Sequence, residues 1–100
     1  MNFFNGENYR IYMYYPLPTT GKVEDENFDF FLDYDGRTYL GTVFSIKNMI
    51  YLMNKENEVF FYSQHSIFLF EISIDALKAS IEKLIKNNEI NLYLVLQSSS

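Results

Sequence analysis

Asp29, Asp33 and Asp35 are spaced closely enough to suggest the paired carboxylates of acid/base catalysis. Such a pair works when its two environments differ enough to keep one carboxyl protonated while the other is ionised. Here the acids are interleaved with Phe28, Phe30, Leu32 and Tyr34 and follow the acidic run Glu24-Asp25-Glu26, a pattern that belongs to the solvated face of a strand. Asp33-Tyr34-Asp35-Gly36 resembles the start of a calcium loop. With Gly36 at the sixth position, however, the first would be Phe31 and the twelfth Thr42, neither of which offers a carboxylate. The single histidine, His65, has no cysteine and no second histidine to join it in a metal site or a triad, and it reads as an exposed turn residue. The glycines, at 6, 21, 36 and 41, are too scattered to cradle a phosphate. The expectation is a protein that is not an enzyme, with no catalytic residue, no cofactor and no metal.

The elements that position these residues follow from periodicity. Tyr9 to Tyr15 is aromatic and β-branched, and Pro16 and Pro18 end it because proline cannot donate to a sheet ladder. Thr19 to Glu26 reads as a polar loop turning at Gly21. Asn27 to Tyr34 alternates with period two, and Asp35-Gly36 supplies the angles of a type I′ hairpin that returns through Arg37 to Phe44. That turn sets Tyr34 against Arg37, Leu32 against Tyr39, Phe30 against Gly41 and Phe28 against Val43 on one face. The other face pairs Asp33 with Thr38, Phe31 with Leu40 and Asp29 with Thr42.

Ser45 and Ser73 are placed to cap helices. The first, over 46–56, carries the stripe Ile46, Met49, Ile50, Met53; the second carries Leu77, Ile81, Leu84, Ile85 and ends at Asn87-Asn88. Both stripes read as core, with Tyr51 and Leu52 off the buried side of the first. Glu58 to Ser63 and Ser66 to Ile72 read as two strands, the second central to the sheet, and Leu92 to Leu96 as a final edge strand. The fold class expected is α+β: a mostly antiparallel sheet of five or six strands with two helices on one face, ordered β-β-β-α-β-β-α with an optional last β. One domain spans 1–97, and 98–100 is a disordered tail.

With 48% apolar residues in 100, a core forms without metal or disulfide help. Cysteine is absent, which suits a reducing compartment, and Met1 leads into no signal peptide or membrane-spanning run, so the cytoplasm is the expected location. The net charge of −5 is uneven. Residues 1–36 hold seven acids against Arg10 and Lys22, whereas the remainder is balanced. Such a surface repels phosphate backbones and favours a basic protein partner over nucleic acid.

If the first strand buries Tyr9, Ile11 and Met13, it turns Arg10, Tyr12 and Tyr14 outward beside Asp29, Phe31, Asp33 and Leu40. Tyr12, Tyr14, Asp29, Phe31, Asp33, Asp35 and Leu40 are therefore the candidate partner-binding residues: aromatic anchors ringed by acids. The competing reading has the same face covered by the chain's own loop 16–26 or by a homodimer mate.

Phe60-Phe61-Tyr62-Ser63 through Ile67-Phe68-Leu69, Ser73-Ile74-Asp75, Ile81 to Asn87 and the upstream run Gly41 to Ile46 resemble small bacterial proteins of toxin–immunity loci, over roughly residues 36–90. The resemblance implies an immunity-type inhibitor that masks the active site of a cognate toxin, and it carries no functional residue with it. A phage-encoded inhibitor of a host defence protein would share the size, acidity and lack of catalytic groups. A small ligand-binding domain or enzyme would need a concave pocket of converging polar side chains.

Overall fold

Asp35 and Gly36 adopt φ of 54° and 72°, the consecutive left-handed angles that a two-residue I′ turn demands. The structure, a computed structural model, describes residues 1–14, 27–57, 65–70 and 72–99. In chain order its elements are β1 (Asn2–Asn5), β2 (Tyr9–Met13), β3 (Asn27–Tyr34), β4 (Arg37–Ser45), α1 (Ile46–Lys55), β5 (Ser66–Leu69), α2 (Ile74–Lys86), the short α3 (Ile90–Tyr93) and β6 (Val95–Ser99). The fold is α+β.

The β3–β4 hairpin has the register expected from its turn, from Tyr34 opposite Arg37 to Phe28 opposite Val43. A slip of one residue would exchange its faces. Its apolar face is buried: Phe30, Leu32 and Val43 are inaccessible, and Phe28 and Tyr39 nearly so. β2 adds antiparallel to β3 and contributes Tyr9, Ile11 and Met13 to the same face. β1 adds antiparallel to β2.

β4 is the hub of the sheet. One edge pairs with β3 along its length. The other is divided between β6, antiparallel along Arg37 to Leu40, and β5, parallel along Thr42 to Ser45. Gly41 lies between the two segments. A Cβ there would collide with Leu94 and stand 2.8 Å from Phe30 Cζ, so the bare backbone admits both side chains to the core.

α2 closes the inner face with Ile74, Leu77 and Ile81, joined by Ile90 of α3 and by Leu94. Its ends are both satisfied. Ser73 Oγ accepts from Ala76 N at 3.1 Å, as a cap serine should. At the other end Asn88 takes φ of 56°, with Asn88 N donating to Ile85 O and Glu89 N to Leu84 O at 3.1 and 2.8 Å, the paired bonds of a Schellman terminus.

Several expectations are corrected. β1 was not anticipated. The stripe Ile46, Met49, Ile50, Met53 is not core: α1 is capped by Ser45 as expected, but it sends no side chain into the buried cluster, and Ile50 is 47% exposed. The apolar segment from Ser66 ends its strand at Leu69 and, among the described residues, pairs with β4 alone at one end of the strand order, with Phe70 88% exposed. Leu92 and Tyr93 belong to α3, and pairing begins at Val95. Ser98 and Ser99, expected in a disordered tail, pair with Thr38 and Arg37. The strand expected over 58–63 and the loop 16–26 lie outside the described residues.

Candidate interaction surface

Alternation that buries Ile11 and Met13 turns Arg10 and Tyr12 to the outer face of the sheet. The strand registers then align side chains in rows across that face. One row runs Phe3, Tyr12, Phe31, Leu40, Val95, each residue opposite the next on the neighbouring strand. Its rings stack: Phe3 and Tyr12 have centroids 5.5 Å apart at 28°, and Tyr12 and Phe31 5.2 Å apart at 17°. Cross-strand aromatic pairs of this kind stabilise a sheet by up to about 1 kcal/mol each. They also leave a broad, flat apolar strip with Phe3 51% exposed at its end.

A polar row lies beside it, with Arg10 opposite Asp33 and Asp33 opposite Thr38. Asp33 is the acceptor for three donors: Thr38 Oγ1 at 2.8 Å, Arg10 Nη2 at 2.9 Å and Tyr12 Oη at 3.1 Å. Partial burial pushes its carboxyl pKa up, but the bonds from Thr38, Arg10 and Tyr12 and the guanidinium charge outweigh it and hold the carboxyl below its ordinary value. Arg10 also covers the strip, its guanidinium carbon 4.9 Å from the Phe3 centroid and 5.6 Å from that of Tyr12. Burial raises the Tyr12 hydroxyl pKa, the neighbouring Thr38 hydroxyl opposes this, and the Asp33 bond and charge reinforce it against Arg10.

On the opposite flank Asp29 faces Thr42, whose Oγ1 donates to Asp29 Oδ1 at 2.7 Å. Tyr14, Asp29, Phe31 and Leu40, with Phe28 beneath, line a depression of about 310 Å³. Tyr14 is 77% exposed at the bend that follows β2. Asp35 is at the hairpin tip, where Arg37 reaches it at 3.5 Å.

The structure thus gathers Tyr12, Tyr14, Asp29, Phe31, Asp33 and Leu40 on one face and sets Asp35 at its rim. It gives Asp33 an internal role that spacing alone did not show: this carboxylate is committed to Arg10, Tyr12 and Thr38. Phe3 was missed. Its signal was present in Asn2-Phe3-Phe4-Asn5 followed by Gly6, a short strand and turn ahead of the aromatic strand. Of the seven acids that make the first third negative, Glu24, Asp25 and Glu26 lie outside the described residues.

Elsewhere, a cleft of about 400 Å³ between β5 and the end of α2 is lined by Phe68, Lys83, Leu84 and Tyr93 among others. Ile50 and Tyr51 border a shallow depression on α1. No helix among the described residues is long and apolar enough to cross a membrane. Among them, too, no three of His, Cys, Asp and Glu converge so as to hold a metal ion. Set against protein-family models, curated proteins and solved structures, the chain matches none.

Proposed function

We propose that this protein is a protein-binding inhibitor of the immunity type, which neutralises a cognate toxin by laying its outer sheet face over a basic site. The observation that carries this reading is the stacked strip Phe3–Tyr12–Phe31, exposed at its Phe3 end and bordered by carboxylates. A flat aromatic surface offers large contact area at low entropic cost, and acids around it select for a basic partner and speed its approach. The resemblance to proteins of toxin–immunity loci supports the choice of partner class.

The two kinds of contact separate kinetically, because charge acts mainly on association and desolvated anchors on dissociation. The test begins with capture of the partner from the source cells and its identification by mass spectrometry. Surface-plasmon kinetics at two salt concentrations then follow. Asp33 holds the face together, so the charge variant is Asp29→Lys with Asp35→Lys; it should slow association and flatten its salt dependence. Phe31→Ala should speed dissociation and cost on the order of 2 kcal/mol. Unchanged kinetics in both variants, with circular dichroism intact, would place the interface elsewhere and overturn the reading.

A further inference from the structure

The outer face contains a worked example of how it holds a guanidinium. Arg10 lies over the rings of Phe3 and Tyr12 at 4.9 and 5.6 Å and pairs with Asp33 at 2.9 Å. An aromatic shelf and a carboxylate at its edge together meet both needs of this group, since its flat, weakly hydrated cation stacks on π faces and its N–H fork bonds to carboxylate oxygens.

The same combination recurs on the other side of the strip. Phe31 and Tyr14 supply rings, Leu40 an apolar floor and Asp29 the carboxylate, around a depression of about 310 Å³. Asp29 Oδ1 is fixed by Thr42 at 2.7 Å, which orients the carboxylate without neutralising it. No described cation pairs with Asp29, whereas Asp33 and Asp35 each have an arginine.

We infer that the depression formed by Tyr14, Asp29, Phe31 and Leu40 is a receptor for an arginine side chain presented by the protein's partner. The inference rests on the basic-partner reading and specifies its central contact: the guanidinium stacks on Phe31 and Tyr14 and bonds to Asp29 through Oδ2. Arginine is favoured over lysine because the shelf is aromatic, as it is for Arg10, and a compact ammonium uses such a shelf less well.

The experiment titrates the full chain, isotopically labelled, with N-acetyl-arginine methylamide and with its neutral isostere N-acetyl-citrulline methylamide, and is read by nuclear magnetic resonance. The arginine probe should shift the Asp29, Phe31 and Leu40 amides and the Tyr14 ring in a saturable manner, and should bind about tenfold more tightly than the citrulline probe, the margin of one charge-assisted pair. Asp29→Asn should abolish that preference, while Asp35→Asn should leave it intact. Tyr14→Ala removes an exposed wall and provides a second variant if Asp29→Asn fails to fold. Equal binding of the two probes, shifts centred on other carboxylates, or indifference to both pocket variants would overturn the inference. The two readings fail separately. A partner whose dissociation depends on Phe31 while the arginine preference is absent removes the receptor and keeps the inhibitor. An arginine preference lost in Asp29→Asn, with partner kinetics untouched by every outer-face variant, keeps a guanidinium site but overturns both its use by the partner and the outer-face reading.

Discussion

Asp33 shows how a residue drawn as a candidate for solution chemistry becomes structural once its neighbours are in place. Thr38, Arg10 and Tyr12 all donate to it, and together they hold its carboxyl pKa below the ordinary 3.8 in spite of partial burial. A carboxylate whose folded-state pKa is depressed contributes stability that is fully present above the unfolded value and is lost as pH falls through the folded one. The Asp33 contribution should therefore stand undiminished at neutral pH and decline below about pH 4. Asp33→Asn cannot titrate. It should be less stable than the parent by about 1 kcal/mol at pH 7, the scale of a half-exposed pair with hydrogen bonds, and the gap should close as the parent is acidified. Urea midpoints measured from pH 7 down to pH 3 check both the size and the closure. The type of Asp33 was legible in the sequence, and so was its outward direction. Its commitment was not, because that depends on β2 lying in register with β3, a pairing across a segment whose length gives no register.

At the scale of elements, local rules succeeded where both partners of a contact lie close in sequence. Asp35-Gly36 determined the hairpin register, and with it the two faces of β3 and β4. Ser45 and Ser73 marked helix starts, and Asn88 marked a helix end through its left-handed φ. They failed where a face must find a distant surface. The periodicity of α1 is as helical as that of α2, yet Leu77 and Ile81 are fully buried while Ile50 is 47% exposed. Period establishes that a helix has an apolar side; it does not establish that the sheet has room for it. Among the described residues, the helical part of the buried cluster comes from α2 and α3, with Leu94 beside them. Ile81→Ala should accordingly cost about 2–5 kcal/mol, the range for truncating a buried aliphatic side chain. Ile50→Ala should fall within about 0.5 kcal/mol of the parent, as surface changes do. Thermal and urea denaturation of the two variants side by side measure the contrast. The last strand was misplaced for a related reason. Leu92 to Leu96 is apolar enough for a strand, but Asn88 and Glu89 close α2 with a Schellman turn from which a further helical turn starts at Ile90 before the chain extends.

The whole molecule is organised around β4, whose residues are bonded to β3 on one side and to two strands of opposite direction on the other. Composition predicted a sizeable core, and the core is there: Phe30, Ile11, Met13, Leu32, Ile72, Leu77 and Ile81 are shut off from solvent. What no composition could convey is that one edge of the central strand would be finished by two separate pieces meeting at Gly41. β6 and β5 do not bond to each other among the described residues, so nothing in the ladder obliges them to leave together. Amide protons on the β3 side of β4 should then exchange with solvent only on global unfolding, whereas those on the far side should divide into two sets, one released when β6 peels away from Arg37 to Leu40 and another when β5 leaves Thr42 to Ser45. Native-state hydrogen exchange in low denaturant resolves such sets by their different opening free energies. A single strand would thus report three clocks, with Gly41 as the boundary between the two faster ones.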